Sequence, residues 1–198
     1  RVGSSERIMI KGGEDRSTRI ALEASATLKG VVIDYASRRP IAGALVYASH
    51  DTSTEADGTF TLRGLQRGKL TLQVRKEGYV SDWRTLDLSN VAQTIESIPL
   101  VRGSLPTSPE AFDGIAAEND EGRARVRSIE PGSPAMLAGL QAGDALLAIN
   151  GHDVVHLGEH AIDFFLVGKI GAAVTVAYTR GGDPSPRTAK FQLAPIPR

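Results

Sequence analysis

The stretch from Ser128 to Gly151 constrains this chain more than any other, because its prolines, glycines and apolar residues fall in an order that dictates successive elements. Pro131-Gly132 ends a strand, since proline cannot donate to a ladder and glycine takes turn angles that other residues avoid. Ser133 then offers an N-cap, Pro134 fits the first helical position, and Gly139 closes a short helix in which Ala135, Met136 and Leu137 present one apolar face. Ala142-Gly143-Asp144 reads as a second turn. Ala145 to Ile149 is a short apolar strand, and Asn150-Gly151 suits a tight turn with positive φ.

The blocks Pro131-Gly132-Ser133-Pro134-Ala135, Ala138-Gly139-Leu140, Gly143-Asp144 and Ile149-Asn150-Gly151 closely resemble the PDZ family in its bacterial form. The resemblance implies a small β-barrel with two helices over residues 112–198, binding peptides by strand addition between an edge strand and the second helix. It places the peptide-binding loop at Phe112, Asp113, Gly114 and Ile115, with Ala116 and Ala117 opening the strand that follows. Such loops aim successive backbone N–H groups at a C-terminal carboxylate. Asp113 stands where the family usually has an apolar residue and would set a negative charge beside that carboxylate. The opposite wall is expected on a helix from about Gly158 to Val167, where Ile162, Phe165 and Leu166 recur at helical spacing. Ile162 is the foremost pocket residue, with Leu166 behind it.

The first half alternates polar and apolar residues in short runs separated by glycine, proline and aspartate turns, the pattern of an all-β sandwich. Gly30-Val31-Val32-Ile33-Asp34, Pro40-Ile41-Ala42-Gly43-Ala44, Asp57-Gly58-Thr59-Phe60, Gly68-Lys69-Leu70 and Gly78-Tyr79 follow one another in the order of the carboxypeptidase regulatory-like family, which this half resembles. That resemblance implies a seven-stranded, transthyretin-like and non-catalytic domain at residues 25–102. Asp57-Gly58 is expected to turn a hairpin, and Tyr79 to plug the sandwich end. Some relatives share the fold of starch-binding modules, which admits weak carbohydrate contact, but Tyr35, Tyr47, Tyr79 and Trp83 read as core or end-cap residues. The fold class is thus mainly β, a transthyretin-like or immunoglobulin-like sandwich followed by a PDZ-type barrel. A proline-containing linker spans residues 103–111. Residues 1–24 read either as the end strands of a preceding repeat or as an N-terminal hairpin on this sandwich.

Among 198 residues, 23 basic and 23 acidic side chains balance to zero charge, which gives no electrostatic grip on nucleic acid. No apolar run nears the roughly 20 residues that span a bilayer. Without cysteine there is neither disulfide nor thiol chemistry.

His156-Leu157-Gly158-Glu159-His160 matches the inverted zinc-peptidase spacing, and His152 extends it. Gly158 and the preceding turn argue against a helix carrying those ligands, so neither a metal site nor a catalytic residue is expected. Ser133 is explained as a helix cap, and His50-Asp51 as a solvated turn. No cofactor is implied. The expected function is therefore non-catalytic: peptide or protein binding and scaffolding in a periplasmic or surface protein of the bacterial envelope. The alternative is an accessory region of a periplasmic peptidase or secretion component whose catalytic part lies elsewhere.

Overall fold

A computed structural model describes residues 25–89, 92–95, 97–107 and 110–196. The expectation for residues 1–24 falls outside them.

The first half is a two-sheet sandwich. One sheet has β1 (Ala26–Asp34) at its centre, antiparallel to β4 (Thr59–Leu65) on one side and parallel to β7 (Ala92–Thr94) and β8 (Ile98–Leu100) on the other. β7 and β8 run along successive stretches of β1, so they act as one interrupted strand and the sandwich is in effect seven-stranded. The second sheet runs β3 (Asp51–Ser53), β2 (Leu45–Tyr47), β5 (Gly68–Arg75), β6 (Asp82–Leu88). Period-two alternation sends Leu28, Val32, Phe60, Leu62, Leu72, Val74, Leu86 and Leu88 into the shared core. Asp57-Gly58 does form a turn, Asp57 Oδ1 accepting from Thr59 N–H at 3.0 Å. It joins no hairpin, however: β3 and β4 lie in different sheets, and the turn carries the chain across the sandwich. Tyr79 closes one end, its hydroxyl donating to the buried Asp34 carboxylate at 2.9 Å beneath the Arg102 guanidinium.

The second half folds around β10 (Ile115–Asp120), β11 (Arg123–Ile129), β12 (Ala145–Ile149), β14 (Ala173–Arg180) and β15 (Asp183–Gln192), paired antiparallel in that order. β13 (His152–Asp153) turns back on β12 through Asn150-Gly151, and β9 (Ala111–Phe112) pairs with β16 (Ala194–Pro195). α1 (Pro134–Leu137) starts as its sequence requires, with Ser133 Oγ accepting from Met136 N–H at 3.3 Å. Its apolar face is narrower than expected. Only Ala135 is buried, while Leu137 is 80% exposed, because one helical turn has a single residue aimed at the core. Asp144 is buried and receives Arg180 through two bonds of 2.7 and 2.8 Å, while Arg180 also reaches the Gly139 carbonyl. The Gly143-Asp144 block is thus a clamp between the helix-closing turn and β14.

The two halves share a continuous sheet. Thr85 of β6 bridges Asp120 of β10 in parallel, and Glu121 N–H donates to the Thr85 carbonyl at 3.2 Å.

Candidate functional site

The groove implied by the sequence lies between β10 and α2 (Glu159–Leu166). β11 takes one edge of β10. On the other edge, Thr85 opposite Asp120 is the only ladder partner of β10 among the described residues, which leaves the stretch from Ile115 to Asn119 open for main-chain pairing.

The loop before β10 departs from a carboxylate-binding loop in one specific way. Gly114 has φ +86° and lies so close to Ser133 that no side chain fits, so glycine is obligatory there. The Ile115 N–H, one of the amides that would meet a ligand carboxylate, donates to Asp113 Oδ1 at 2.6 Å. Asp113 supplies the anion from within the chain. Burial pushes its carboxyl above the usual carboxylate range, against the stabilising bond from Ile115.

On α2 the residues divide differently from expectation. Ile162 and Leu166, the anticipated pocket residues, are 0% and 2% exposed and belong to the hydrophobic core, because α2 must use its apolar stripe to close the barrel. The half-buried Asp163 instead shares the field of Asp113 and of Glu159 one turn earlier. Its carboxyl is pushed up to about 7, first by desolvation and then by those two charges, with Arg127 offsetting part of the effect. Sequence reasoning missed this acidic lining, although Glu159 and Asp163 at i,i+4 were a visible sign of one charged helix face. Ala116 and Ala117 lie in β10 as expected, Ala117 buried in the core and Ala116 partly accessible, whereas Phe112 is not in the loop but ends β9, paired with Ala194 of β16.

α2 begins with help from the other domain. Its N-cap Gly158 makes no side-chain cap, and instead Gly158 N–H donates to Asp82 Oδ1 of β6 at 2.8 Å. An anion at a helix N-terminus complements its dipole. Asp82 is in turn held by Arg84 through bonds of 2.6 and 2.8 Å, and Arg84 also donates to the His156 carbonyl at 3.2 Å. A Cβ on Gly158 would sit 2.6 Å from Asp82 Cγ and 2.8 Å from the Trp83 carbonyl. Gly158→Ala is therefore expected to cost about 2 kcal/mol in urea denaturation through forced displacement of the domain contact; an unchanged midpoint would show that the contact yields freely.

The three histidines of the zinc-like spacing go to separate partners. His156 lies in the loop before α2 and donates to the Gly122 carbonyl, His160 shares a hydrogen bond with Ser81 Oγ, and His152 stacks on Phe165. The aromatic residues expected in the core are also redistributed. Tyr35 leaves the sandwich to contact Phe165 and donates to the Asp153 carbonyl at 2.9 Å. Tyr47 is 48% exposed, and Trp83 lies on the outer sheet face against His160.

Residues 27–100 match the carboxypeptidase regulatory-like domain, and residues 125–180 match the PDZ domain. In chain order, a match to the carboxypeptidase regulatory-like domain is thus followed by a match to the PDZ domain. Both matched families are regulatory or protein-interaction domains, and neither match is to a catalytic family. No curated protein matches the chain. Among solved structures, a type II cohesin–X-dockerin complex from Acetivibrio cellulolyticus aligns at 18% identity over 38% of this chain and 56% of that one, with a TM-score of 0.30. The major pilin subunit of Bacillus cereus aligns at 13% identity over 86% and 69%, TM-score 0.34, and a streptococcal ancillary pilin at 13% over 90% and 65%, TM-score 0.32. The chain thus spans just over half the length of the first. Among the described residues no helix is long and apolar enough to cross a membrane.

Proposed function

We propose that this tandem is a non-catalytic scaffolding module whose PDZ domain takes an extended protein segment by strand addition along Ile115 to Asn119, opposite α2. The observation that carries this is the edge of β10 from Ile115 to Asn119, which is open among the described residues and offers backbone N–H and C=O groups beside a helix. The roles of Phe112, Asp113, Gly114, Ile115, Ala116 and Ala117 follow from that edge. Ile162 and Leu166 support the wall from behind, and Glu159 and Asp163 give it its charge.

The segment need not end in a free carboxylate, because Asp113 already satisfies the Ile115 amide. Peptides selected from a displayed library are expected to bind equally well with free or amidated C-termini, affinity changing by less than about twofold. Hydrogen exchange then checks the mode: bound peptide should slow exchange at residues 115–119, and peptides that bind without protecting those amides would refute strand addition. Placement in the bacterial envelope or on the cell surface rests on the resemblance of the Pro131 to Gly151 run to bacterial PDZ domains, and fractionation of cells carrying the full-length protein tests it.

A further inference from the structure

A second site lies where the sandwich meets the PDZ domain, away from the β10 edge. An open cleft of about 730 Å³ is lined by the outer face of the β2–β5–β6 sheet together with His160 of α2, Ser104 and Leu105. This size and this position at a domain junction are those of ligand pockets. The sheet register builds its floor. Gln73 pairs with Trp83 across β5 and β6, Arg75 pairs with Leu45 across β5 and β2, and Gln73 and Arg75, two residues apart, point to the same face.

The chemistry of this floor is one-sided. Arg75 and Lys76 are set against a single carboxylate, Glu77. Trp83 Nε1 is buried with no hydrogen-bond partner among the described residues, and an indole N–H can only donate. A buried donor without an acceptor carries a cost, which a small side-chain shift that lets a ligand oxygen reach Nε1 would remove. We infer that this interdomain cavity binds a carboxylate-bearing ligand, Arg75 and Lys76 supplying charge and Trp83 a donor that binding brings into contact. The ligand is either an acidic peptide segment or a free small acid, since both bring the same group.

Trp83 is the only tryptophan in the chain and reports on its own site. The whole chain would be titrated with capped hexaglutamate, with glutarate and with capped hexaglutamine while Trp83 emission is followed. A saturable change is expected with at least one carboxylate probe and not with hexaglutamine; a response to hexaglutamate alone identifies a peptide, and one to glutarate a free acid. Arg75→Glu should weaken binding about tenfold or more, whereas Arg187→Glu, the same charge change on the exposed edge strand β15, should leave it within twofold. Trp83→Phe, followed by calorimetry, should weaken binding while the protein keeps its circular dichroism spectrum. No saturable change with either acid, equal binding of hexaglutamine, or equal losses in the two arginine variants would overturn the assignment.

Discussion

Asp82→Ala is expected to destabilise the chain by about 3–5 kcal/mol and to separate the unfolding of its two domains, because it strands a buried cation. The Arg84 and Asp82 side chains are 1% and 0% exposed. With Asp82 gone, the Arg84 guanidinium keeps one bond among the described residues, to the His156 carbonyl, and Gly158 N–H loses its acceptor at the start of α2. Asp82 and Arg84 stand on the same side of β6 as Leu86 and Leu88, so the ion pair continues the sandwich core into the contact with the second domain. Calorimetry should show one cooperative transition for the parent chain and two for the variant. Asp82→Asn, which keeps an acceptor for Gly158, should fall between them. A loss under about 1 kcal/mol with a single transition would mean that Tyr35, Phe165 and the Thr85 bridge suffice to join the domains.

Asp163→Asn is expected to stabilise the protein at pH 8 by on the order of 2 kcal/mol, the pKa displacement being discounted for partial exposure. Below about pH 4 the Asp163 carboxyl is protonated whether the chain is folded or not. As pH rises from there towards 7, the unfolded chain ionises while the folded one is held neutral by burial, Glu159 and Asp113, so Asp163 withdraws stability across that window. Above about 7 both states are ionised and the loss is constant. The asparagine variant lacks this slope, so the two proteins should converge near pH 4 and diverge up to pH 7. Urea midpoints measured across that range decide it; parallel profiles would place Asp163 in solvent rather than beside Asp113. The same titration changes the charge of the groove near neutral pH.

Local chemistry was legible in the sequence wherever cause and effect lie within a few residues. Ser133 caps α1 because its hydroxyl reaches an amide three positions on, and Asn150-Gly151 turns β12 into β13 because those residues tolerate the turn. Asp113 was half legible. Its misfit in the loop was visible, and an aspartate two residues before an amide is a known turn former, yet the bond to Ile115 gives it a role that charge alone did not suggest. Gly158 was read as a helix weakener. It is the space that Asp82 needs, and no feature within several residues of Gly158 says so. Ile162 and Leu166 were correctly placed on the apolar stripe of α2, but a stripe does not reveal whether it faces a groove or the barrel interior.

The run from Pro131 to Gly151 determined, unaided, the order of strand, turn, helix and turn, since glycine, proline and capping residues act through backbone angles and short hydrogen bonds. The alternating first half likewise determined a sandwich, because burial on one face of a strand has a period of two. Tertiary structure alone decided that β6 joins β10, that Asp82 starts a helix 76 residues further along, and that Gln73, Arg75 and Trp83 line one cavity. Those facts depend on which surfaces meet across the domain boundary, and the free energy of such contacts belongs to pairs of residues that no local pattern brings together.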